Sequence, residues 1–447
     1  MRKYILFLVL LALVFALASC SQAEEPDDVG YSYAPEDSAN VAIDETTDNE
    51  TIINETYETA PEPAPTPEPD NRTPQEIFLG GGVMPRFFND QAIDGDALIA
   101  AINHIIIEDR NAPGYSMVVV RGGEPIFKHY TGTVSFHPGV LHTNQFYVNQ
   151  NTREEYGADS TFQLASSTKL VVAALIFQLQ EQGLLNIHDP IRNHIPEMYH
   201  SNITIFHALT HSTGMDFVGI APLHLIGPIE WAEQAATSQR PLVFEPGSRT
   251  QYSPSYGLLL EVIRRVGGGD VDVHSIGAMF EPLGMAETHF NNHRLDRSRL
   301  IMKNDYDKAA STDHLFFGLD LNDSDGNAGM FSTIDDMARF AAMMLGGGIL
   351  GDTRVMETGT VEAFTEPVEG FYRAVGAFLR GNHSGGMFPP SSNPGAFGHP
   401  GSTGEAIFID PAADLAIVFI ANNGTNMISN DFAVLRDALE QVYRYLR

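Results

Sequence analysis

Two apolar segments near the C-terminal end of the chain place the tightest constraint on how it can fold. Residues 406–409 and 415–421 consist wholly of apolar side chains and flank a short turn that contains Pro411. Strands that are apolar on both faces belong to sheets that are covered on both sides, because water on either face would be unfavourable. The sequence therefore predicts a central sheet that lies between two layers of helices.

Similar elements occur in the opposite order at the start of the folded region. Residues 94–109 carry apolar side chains at helical spacing, and residues 116–129 read as a β-hairpin. At the other end an amphipathic helix over residues 432–446 follows the strands. We therefore expect a mixed α/β fold in which both ends build one antiparallel sheet and the helix-rich middle is an inserted lobe. A site is expected in the cleft between the two.

The N-terminus has the pattern of an export signal. Arg2 and Lys3 precede an apolar run over residues 5–17, and this run is shorter than the roughly 20 residues of a membrane span. It ends in Leu-Ala-Ser-Cys20, which resembles the bacterial lipobox, so residues 1–20 are predicted to be a lipoprotein signal peptide with lipid attachment at Cys20. The predicted location is the outer face of the cytoplasmic membrane. The alternative is an ordinary cleavable signal with a chance cysteine.

Residues 21–75 are predicted to be a disordered, acidic, proline-rich linker. They contain few large apolar side chains, and residues 21–70 hold fifteen Asp or Glu with no Lys or Arg. Such a segment cannot bury enough apolar surface to offset the entropy of ordering. The linker would hold a catalytic domain, residues 76–447, away from the membrane. The net charge of −31 argues against a nucleic-acid partner, because phosphate binding needs basic clusters.

A serine and a lysine three residues apart provide the first candidate for chemistry. Ser166 and Lys169 would lie on one face of a helix, one turn apart. At a helix start the N–H of Ser166 is unpaired and can help to bind an oxyanion. The apolar residues 170–174 predict that the helix is buried, and burial favours a neutral lysine, which can accept the serine proton. A capped helix with a solvated lysine would show the same pair.

Four further segments follow this pair in order, and together they carry a resemblance. They are residues 203–214, the segment Tyr252-Ser253-Pro254-Ser255, residues 328–340, and His399-Pro400-Gly401-Ser402. With the Ser-x-x-Lys pair they resemble the β-lactamase-related serine hydrolases, which include class C β-lactamases, D-alanyl-D-alanine peptidases and esterases. The resemblance runs from about residue 113 to residue 422 and implies the serine β-lactamase and penicillin-binding fold.

The resemblance implies a catalytic role for three residues. Ser166 would attack a carbonyl carbon and form an acyl-enzyme. Lys169 and Tyr252 would take the serine proton and pass it to the leaving group, and which of the two is the base stays open. The third motif would line the substrate site through His399, Gly401 and Ser402, with the N–H of Ser402 as the second oxyanion donor.

Two departures from the lactamase motifs bear on the substrate. Pro254 stands where the Tyr-x-Asn motif has an asparagine that holds the amide of a lactam or peptide, and proline has no side-chain hydrogen bond to offer. His399 stands where the lactamases have a lysine, and a histidine would be charged only in part near neutral pH. Both changes leave the acyl-transfer residues in place. They favour an esterase or a peptidase over a true β-lactamase.

Two other patterns suggest a metal ion only weakly. His207 and His211 are four residues apart on a predicted helix, but no third ligand is evident. Residues 322–327 lack the opening Asp and closing Glu of a calcium loop. Neither a metal nor a cofactor is therefore expected. The long segment over residues 135–159 could shape the cleft entrance or be a surface insertion.

The function expected from the sequence is that of an exported serine hydrolase. It would act through an acyl-enzyme on an ester, amide or lactam carbonyl, in a small molecule or a cell-wall peptide. An esterase or a peptidase of D-amino-acid peptides is favoured. The alternatives are a class C-like β-lactamase and a non-catalytic protein of the same fold that binds cell-wall peptide or β-lactam. The sequence makes no prediction about the oligomeric state.

Overall fold

Strands from both ends of the folded region form one six-stranded sheet in the computed structural model. The structure describes residues 72–78, 92–109, 112, 114–132, 156–220, 226–290, 296, 299–301, 326–371, 373–381, 387–401, 404–421 and 432–447. The strands of this sheet are β1 (Gly114–Arg121), β2 (Glu124–Gly132), β7 (Phe378–Leu379), β8 (Phe397–Pro400), β9 (Glu405–Asp410) and β10 (Leu415–Ala421). Their order is β2-β1-β10-β9-β8-β7, and every pairing is antiparallel.

Two short strand pairs and a set of helices complete the described elements. The pairs are β3 (Thr161–Gln163) with β4 (Phe331–Thr333), and β5 (Ile349–Leu350) with β6 (Thr353–Arg354). The helices are α1 (Pro74–Phe78), α2 (Gly95–Asn103), α3 (Thr168–Glu181), α4 (Ile205–Leu209), α5 (Pro228–Thr237), α6 (Tyr256–Val266), α7 (Val271–Ser275), α8 (Ile334–Leu345), α9 (Thr358–Thr365) and α10 (Ala433–Tyr445). Single π-helical turns extend α2 through His104–Glu108 and α7 through Ile276–Phe280.

Both faces of the sheet are buried, as the apolar strands predict. Along β10 the side chains alternate between two cores, with Val418 on one face and Phe419 on the other. Helices α2 and α10 cover the Phe419 face, whereas α3 and α8 lie against the Val418 face. Because successive side chains of a strand point to opposite faces, the seven consecutive apolar residues of β10 need cover on both faces of the sheet.

The helix-rich middle of the chain is inserted between β2 and β7. Helix α3 runs through its interior, and twelve of its fourteen residues are buried. Helix α8 packs beneath β1 and β10, so it connects the inserted lobe to the sheet. The predicted fold class, a helix-covered antiparallel sheet with an inserted helical lobe, is confirmed.

The predicted boundaries of signal, linker and catalytic domain stay a prediction. Residues 1–71, with Cys20, lie outside the described residues. Helix α1 begins at Pro74, so its first two residues belong to the segment assigned to the linker. Its last residue, Phe78, is buried against Lys128 and Arg339. Among the helices that the structure describes, none is long and apolar enough to cross a bilayer.

Candidate active site

Ser166 lies in a tight turn that leads directly into the buried helix α3. The turn spans Ala165–Ser167. Ala165 has a φ of 42°, in the left-handed region that residues other than glycine rarely adopt. The hydroxyl of Ser167 donates to the carbonyl oxygen of His399 at 3.0 Å. The candidate nucleophile is therefore held between helix α3 and strand β8.

Lys169 lies one helical turn after Ser166 and points into the site. Only 2% of its surface is exposed. Its Nζ donates to the backbone carbonyl of Asn327 at 2.6 Å and lies 3.5 Å from Ser166 Oγ. The same nitrogen lies 4.9 Å from the ring centre of Tyr252 and 5.7 Å from that of Tyr256. The solvated lysine that the sequence left open is thus excluded, and the amine lies beside two tyrosine rings.

Tyr252 reaches the nucleophile from the inserted lobe. Its hydroxyl lies 2.9 Å from Ser166 Oγ, which is closer than the amine of Lys169. The imidazole of His211 packs on one side of its ring at 4.5 Å, and Phe378 is stacked 6.5 Å away with the ring planes only 10° apart. About half of Tyr252 is exposed, at 53%, so the site is open to solvent.

Ser166, Lys169 and Tyr252 therefore converge on a single oxygen atom. The arrangement contains a hydroxyl nucleophile, a phenol oxygen within hydrogen-bond distance that can accept its proton when ionised, and an amine that can hold or relay that proton. A geometry of this kind suits attack on a carbonyl carbon with proton transfer to a leaving group.

His399 lies at the end of strand β8 and is fully enclosed. Its Nδ1 is 2.7 Å from the carbonyl oxygen of Pro400, which can only accept, so Nδ1 carries the hydrogen. Burial, with help from Lys169 and Arg373, lowers the pKa of His399 well below its usual 6.5. The expectation of a partial charge near neutral pH is therefore corrected. This imidazole is neutral, because the surrounding protein excludes water and already contains two cations.

The turn after His399 is shaped by Gly401. Its N–H donates to the carbonyl oxygen of Glu405 at 2.8 Å, so this N–H is already used within the turn. A β-carbon on Gly401 would overlap the carboxylate of Glu405 and crowd the carbonyl oxygen of Leu164, so a larger residue here would displace the Glu405 side chain. Ser402 lies outside the described residues, and its N–H as the second oxyanion donor stays a prediction.

Comparison with known proteins identifies the family. The sequence matches the β-lactamase family over residues 96–439, which is more than half of the chain. The chain belongs to the β-lactamase family. It is thereby a serine hydrolase of the β-lactamase-related type, and the predicted recognition is confirmed.

The names of proteins similar to this chain describe several different activities. An N-acetylmuramyl-L-alanine amidase of Bacillus subtilis (strain 168) is 25% identical over 394 residues, which cover 78% of this chain and 87% of the relative. A family VIII carboxylesterase has the same fold with a TM-score of 0.63 and 20% identity, covering 82% of this chain and 99% of that chain. The octameric penicillin-binding protein homologue from Pyrococcus abyssi aligns with a TM-score of 0.60 and 19% identity, over 79% of each chain.

The two histidines suggested as a pair do not lie on one helix in this β-lactamase-family chain. Helix α4 ends at Leu209, so the prediction that both histidines lie on one helix is wrong. His207 caps α4, where its Nδ1 accepts from the N–H of Thr204, whereas His211 has a φ of 53° and lies in the turn beyond. Within the described ranges, no group of three or more His, Cys, Asp or Glu could hold a metal ion.

Three residues that contribute to the site were not predicted from the sequence. His211 packs on Tyr252 and accepts from the N–H of Ser253 at 3.3 Å, and its place in the motif over residues 203–214 was a usable signal. The carbonyl of Asn327 holds Lys169, but a backbone acceptor leaves no trace in a sequence. Arg373 is buried next to both tyrosines, and no motif marked it.

The other weakly assigned segments are only partly described. Gly326 and Asn327 are the described members of the suggested calcium loop, and the remaining four residues of that loop lie outside the described residues. Of the long segment over residues 135–159, the structure describes residues 156–159. Tyr156 is buried there, with its ring centre 5.6 Å from that of Phe162. Whether the segment shapes the cleft entrance stays a prediction.

Proposed function

We propose that this protein forms an acyl-enzyme at Ser166 and hydrolyses esters or amides outside the cell. The observation that carries the proposal is the convergence of Tyr252 and Lys169 on Ser166 Oγ, at 2.9 and 3.5 Å. Because Tyr252 is the closer of the two, it is assigned as the proton acceptor, and Lys169 stabilises the charge that develops on its oxygen.

The reaction then follows from these positions. Ser166 Oγ attacks the carbonyl carbon while its proton moves to the ionised oxygen of Tyr252. When the tetrahedral intermediate collapses, the bond to the leaving group breaks and the leaving group takes the proton from Tyr252. Attack by water, activated by the same residue, releases the acid and restores the serine. His399 and Gly401 line the substrate site in this proposal, and the N–H groups of Ser166 and Ser402 hold the oxyanion.

The chemistry of the third motif favours esters over β-lactams. The neutral His399 provides no fixed positive charge for the carboxylate of a β-lactam or of a peptide C-terminus. Pro254 lacks a side chain that could hold an amide. An uncharged ester or amide substrate fits both features, and the N-acetylmuramyl-L-alanine amidase among the relatives keeps amides in the proposal. A class C-like β-lactamase is the less favoured alternative.

The cellular setting rests on the N-terminal sequence. Cys20 would bear the lipid, and residues 21–75 would form a spacer between the membrane and the catalytic domain. Substrates would then be small molecules or cell-wall peptides at the outer face of the cytoplasmic membrane.

The test compares four variants on three substrate classes. The full chain is incubated with a p-nitrophenyl ester, a D-alanyl-D-alanine peptide and a penicillin, while turnover and intact mass are followed. Ester turnover is expected, with none in Ser166→Ala and a loss of about 10²–10⁴-fold in Tyr252→Phe and in Lys169→Met. Tyr199→Phe is the matched control, because Tyr199 is exposed to a similar degree and lies outside the site.

Each other outcome has a defined meaning. Ring opening of the penicillin without a lasting adduct would make the protein a β-lactamase and refute the argument from Pro254 and His399. A lasting adduct that is absent from Ser166→Ala would identify a penicillin-binding peptidase. Absence of both turnover and adduct on all three substrates would leave the non-catalytic binding protein as the correct alternative.

A further inference from the structure

Tyr252 reaches the nucleophile from a position that is half exposed to solvent. Its surface is 53% exposed, and its hydroxyl bonds to Ser166 Oγ at 2.9 Å. The centre of its ring lies 4.5 Å from that of His211 and 6.5 Å from that of Phe378. A side chain in water gains conformational entropy when it leaves a single rotamer. A phenol that has to meet one oxygen atom therefore needs neighbours that restrict it.

His211 contacts the chain on both sides of Tyr252. Its carbonyl oxygen accepts from the N–H of Gln251 at 2.8 Å, and its Nδ1 accepts from the N–H of Ser253 at 3.3 Å. A neutral imidazole can accept in this way, and burial keeps the pKa of His211 well below 6.5. Because the ring also packs on Tyr252 itself, one residue contacts three consecutive positions of the segment that carries the phenol.

The backbone of His211 has the conformation that these contacts need. Its φ of 53° lies in the left-handed region, which is unfavourable for a residue with a β-carbon. Its carbonyl and its imidazole both reach the segment around Tyr252 in this conformation. A strained conformation persists only where the surrounding structure fixes it, and such residues are common at functional sites.

The imidazole of His211 also packs on a tyrosine that is fully buried. Tyr256 is the first residue of helix α6, and the centre of its ring lies 5.2 Å from that of His211. Its hydroxyl donates to the carbonyl oxygen of Leu209 at 3.0 Å. Because Tyr256 is held at both its ring and its hydroxyl, the imidazole has a fixed place from which it can hold Tyr252.

We propose that His211 is a positioning residue that holds the hydroxyl of Tyr252 at Ser166. The inference rests on the proposed function, in which Tyr252 accepts the proton of Ser166. His211 acts through Tyr252, because it packs on the phenol ring and fixes the backbone before and after it. Without the imidazole, the phenol turns toward solvent and its hydroxyl meets Ser166 Oγ less often.

The test measures the rate at which a fluorophosphonate labels Ser166, followed by intact mass. In this reaction the serine oxygen bonds to phosphorus and fluoride leaves, so the rate does not depend on the natural substrate. The full chain is compared with His211→Ala, with His211→Asn and with His274→Ala as the matched control. His274 is a partly buried histidine that lies against Gly267, at the opposite end of helix α6 from Tyr252.

The expected result is slower labelling in the variants of His211. His211→Ala should slow labelling about 10- to 100-fold, since a misplacement of about 1 Å in a reacting group can cost that much in rate. Asparagine keeps an acceptor for the N–H of Ser253 and tolerates a left-handed backbone, so His211→Asn should recover part of the loss. His274→Ala should match the unsubstituted protein. Labelling of His211→Ala at the unsubstituted rate overturns the proposal.

A double-substitution cycle distinguishes positioning from a merely structural effect. In Tyr252→Phe the hydroxyl is absent, so a residue that only places this hydroxyl has nothing left to contribute. Adding His211→Ala to Tyr252→Phe should therefore slow labelling by less than about twofold, the usual margin for independent sites. If the two losses multiply instead, His211 acts on the site by another route and the proposal is wrong.

A second measurement separates this inference from the proposed function. Crystal structures of the unsubstituted protein and of His211→Ala give the distance between the hydroxyl of Tyr252 and Ser166 Oγ. This distance is expected to exceed about 3.5 Å in His211→Ala, and an unchanged distance overturns the inference. A displaced Tyr252, together with full labelling of Tyr252→Phe, would refute the proposed function alone. If His211→Ala does not fold, His211→Asn, which also lacks the ring, replaces it in the cycle and in the crystal.

Discussion

Two enclosed histidines define the electrostatics of the site at the scale of single residues. His399 carries its hydrogen on Nδ1, and His211 accepts an N–H at its Nδ1, so the two imidazoles are opposite tautomers. Burial is the largest cause that lowers the pKa of each, and Lys169 and Arg373 act in the same direction. Both rings are therefore neutral parts of the framework around Tyr252.

The lowered pKa values of His211 and His399 predict that the stability of the protein depends on pH. The folded pKa of each histidine lies below the unfolded value of 6.5, so the stabilisation is complete above about pH 6.5 and is lost as the pH falls through the folded values. Between about pH 6.5 and pH 5 the free energy of unfolding should decrease by up to about 1.4 kcal/mol per pH unit for each histidine. The free energy of unfolding is measured by urea denaturation at several pH values.

The control for this prediction is the doubly substituted protein His211→Gln, His399→Gln. Glutamine does not titrate, so the dependence on pH should be weaker in this variant than in the unsubstituted protein. Equal slopes in the two proteins over the acidic range would show that these histidines are not the source. Other histidines whose pKa is lowered by burial, such as His207 and His274, contribute to both proteins and cancel in the difference.

At the scale of elements, helix α8 holds the inserted lobe to the sheet. Asp336 in its first turn accepts from Arg339 at 2.8 Å, from the N–H of Glu287 at 2.9 Å and from the hydroxyl of Thr288 at 3.0 Å. The buried carboxylate therefore connects α8 to Glu287 and Thr288. The next residue, His289, forms a β-bridge with Phe331 of β4. One side chain therefore fixes the position of two elements.

We expect Asp336→Ala to destabilise the protein by about 3–5 kcal/mol, because Arg339 would remain buried without its partner. The measurement is the free energy of unfolding in urea. Asp437→Ala on α10 is the matched control, since that carboxylate is exposed and should change stability by no more than about 0.5 kcal/mol. A similar small effect for both variants would mean that the buried pair does not hold α8 in place.

At the scale of the whole molecule, the chain combines an acidic N-terminal segment with a folded enzyme. Residues 21–70 have a net charge of −15, and the chain as a whole has −31, so nearly half of the excess negative charge lies in this segment. This charge suits the spacer that we propose for a lipid-anchored enzyme.

The anchor is tested by replacing the single cysteine. Full-length protein produced in a bacterium is expected to partition with membranes and to incorporate labelled fatty acid, and Cys20→Ser should lose both properties. Hydrolysis of the ester should be the same for the two proteins in detergent, because Cys20 lies outside residues 96–439, which match the β-lactamase family. Membrane association that persists in Cys20→Ser would refute lipid attachment at this residue.

Local patterns were sufficient to predict much of the fold. The apolar strands β9 and β10 and the amphipathic helix α10 follow from hydrophobic periodicity, since each period belongs to one type of element. The glycines at 122 and 123 have φ values of 60° and 76°, and they mark the hairpin turn between β1 and β2. These elements depend on interactions between residues that are close in sequence, so the sequence is sufficient to predict them.

The sequence by itself predicted Ser166, Lys169 and Tyr252 as candidate reacting residues and determined the two-sided sheet, because motif spacing and apolar period are properties of neighbouring positions. The tertiary structure decided how Tyr252 meets Ser166 across 86 positions of chain, that His399 is neutral, and that His211 packs on the ring of Tyr252. These properties depend on burial and on distances between groups that are remote in sequence. No local pattern encodes the loss of water around a side chain, and that loss is the largest cause that lowers the pKa of His211 and of His399.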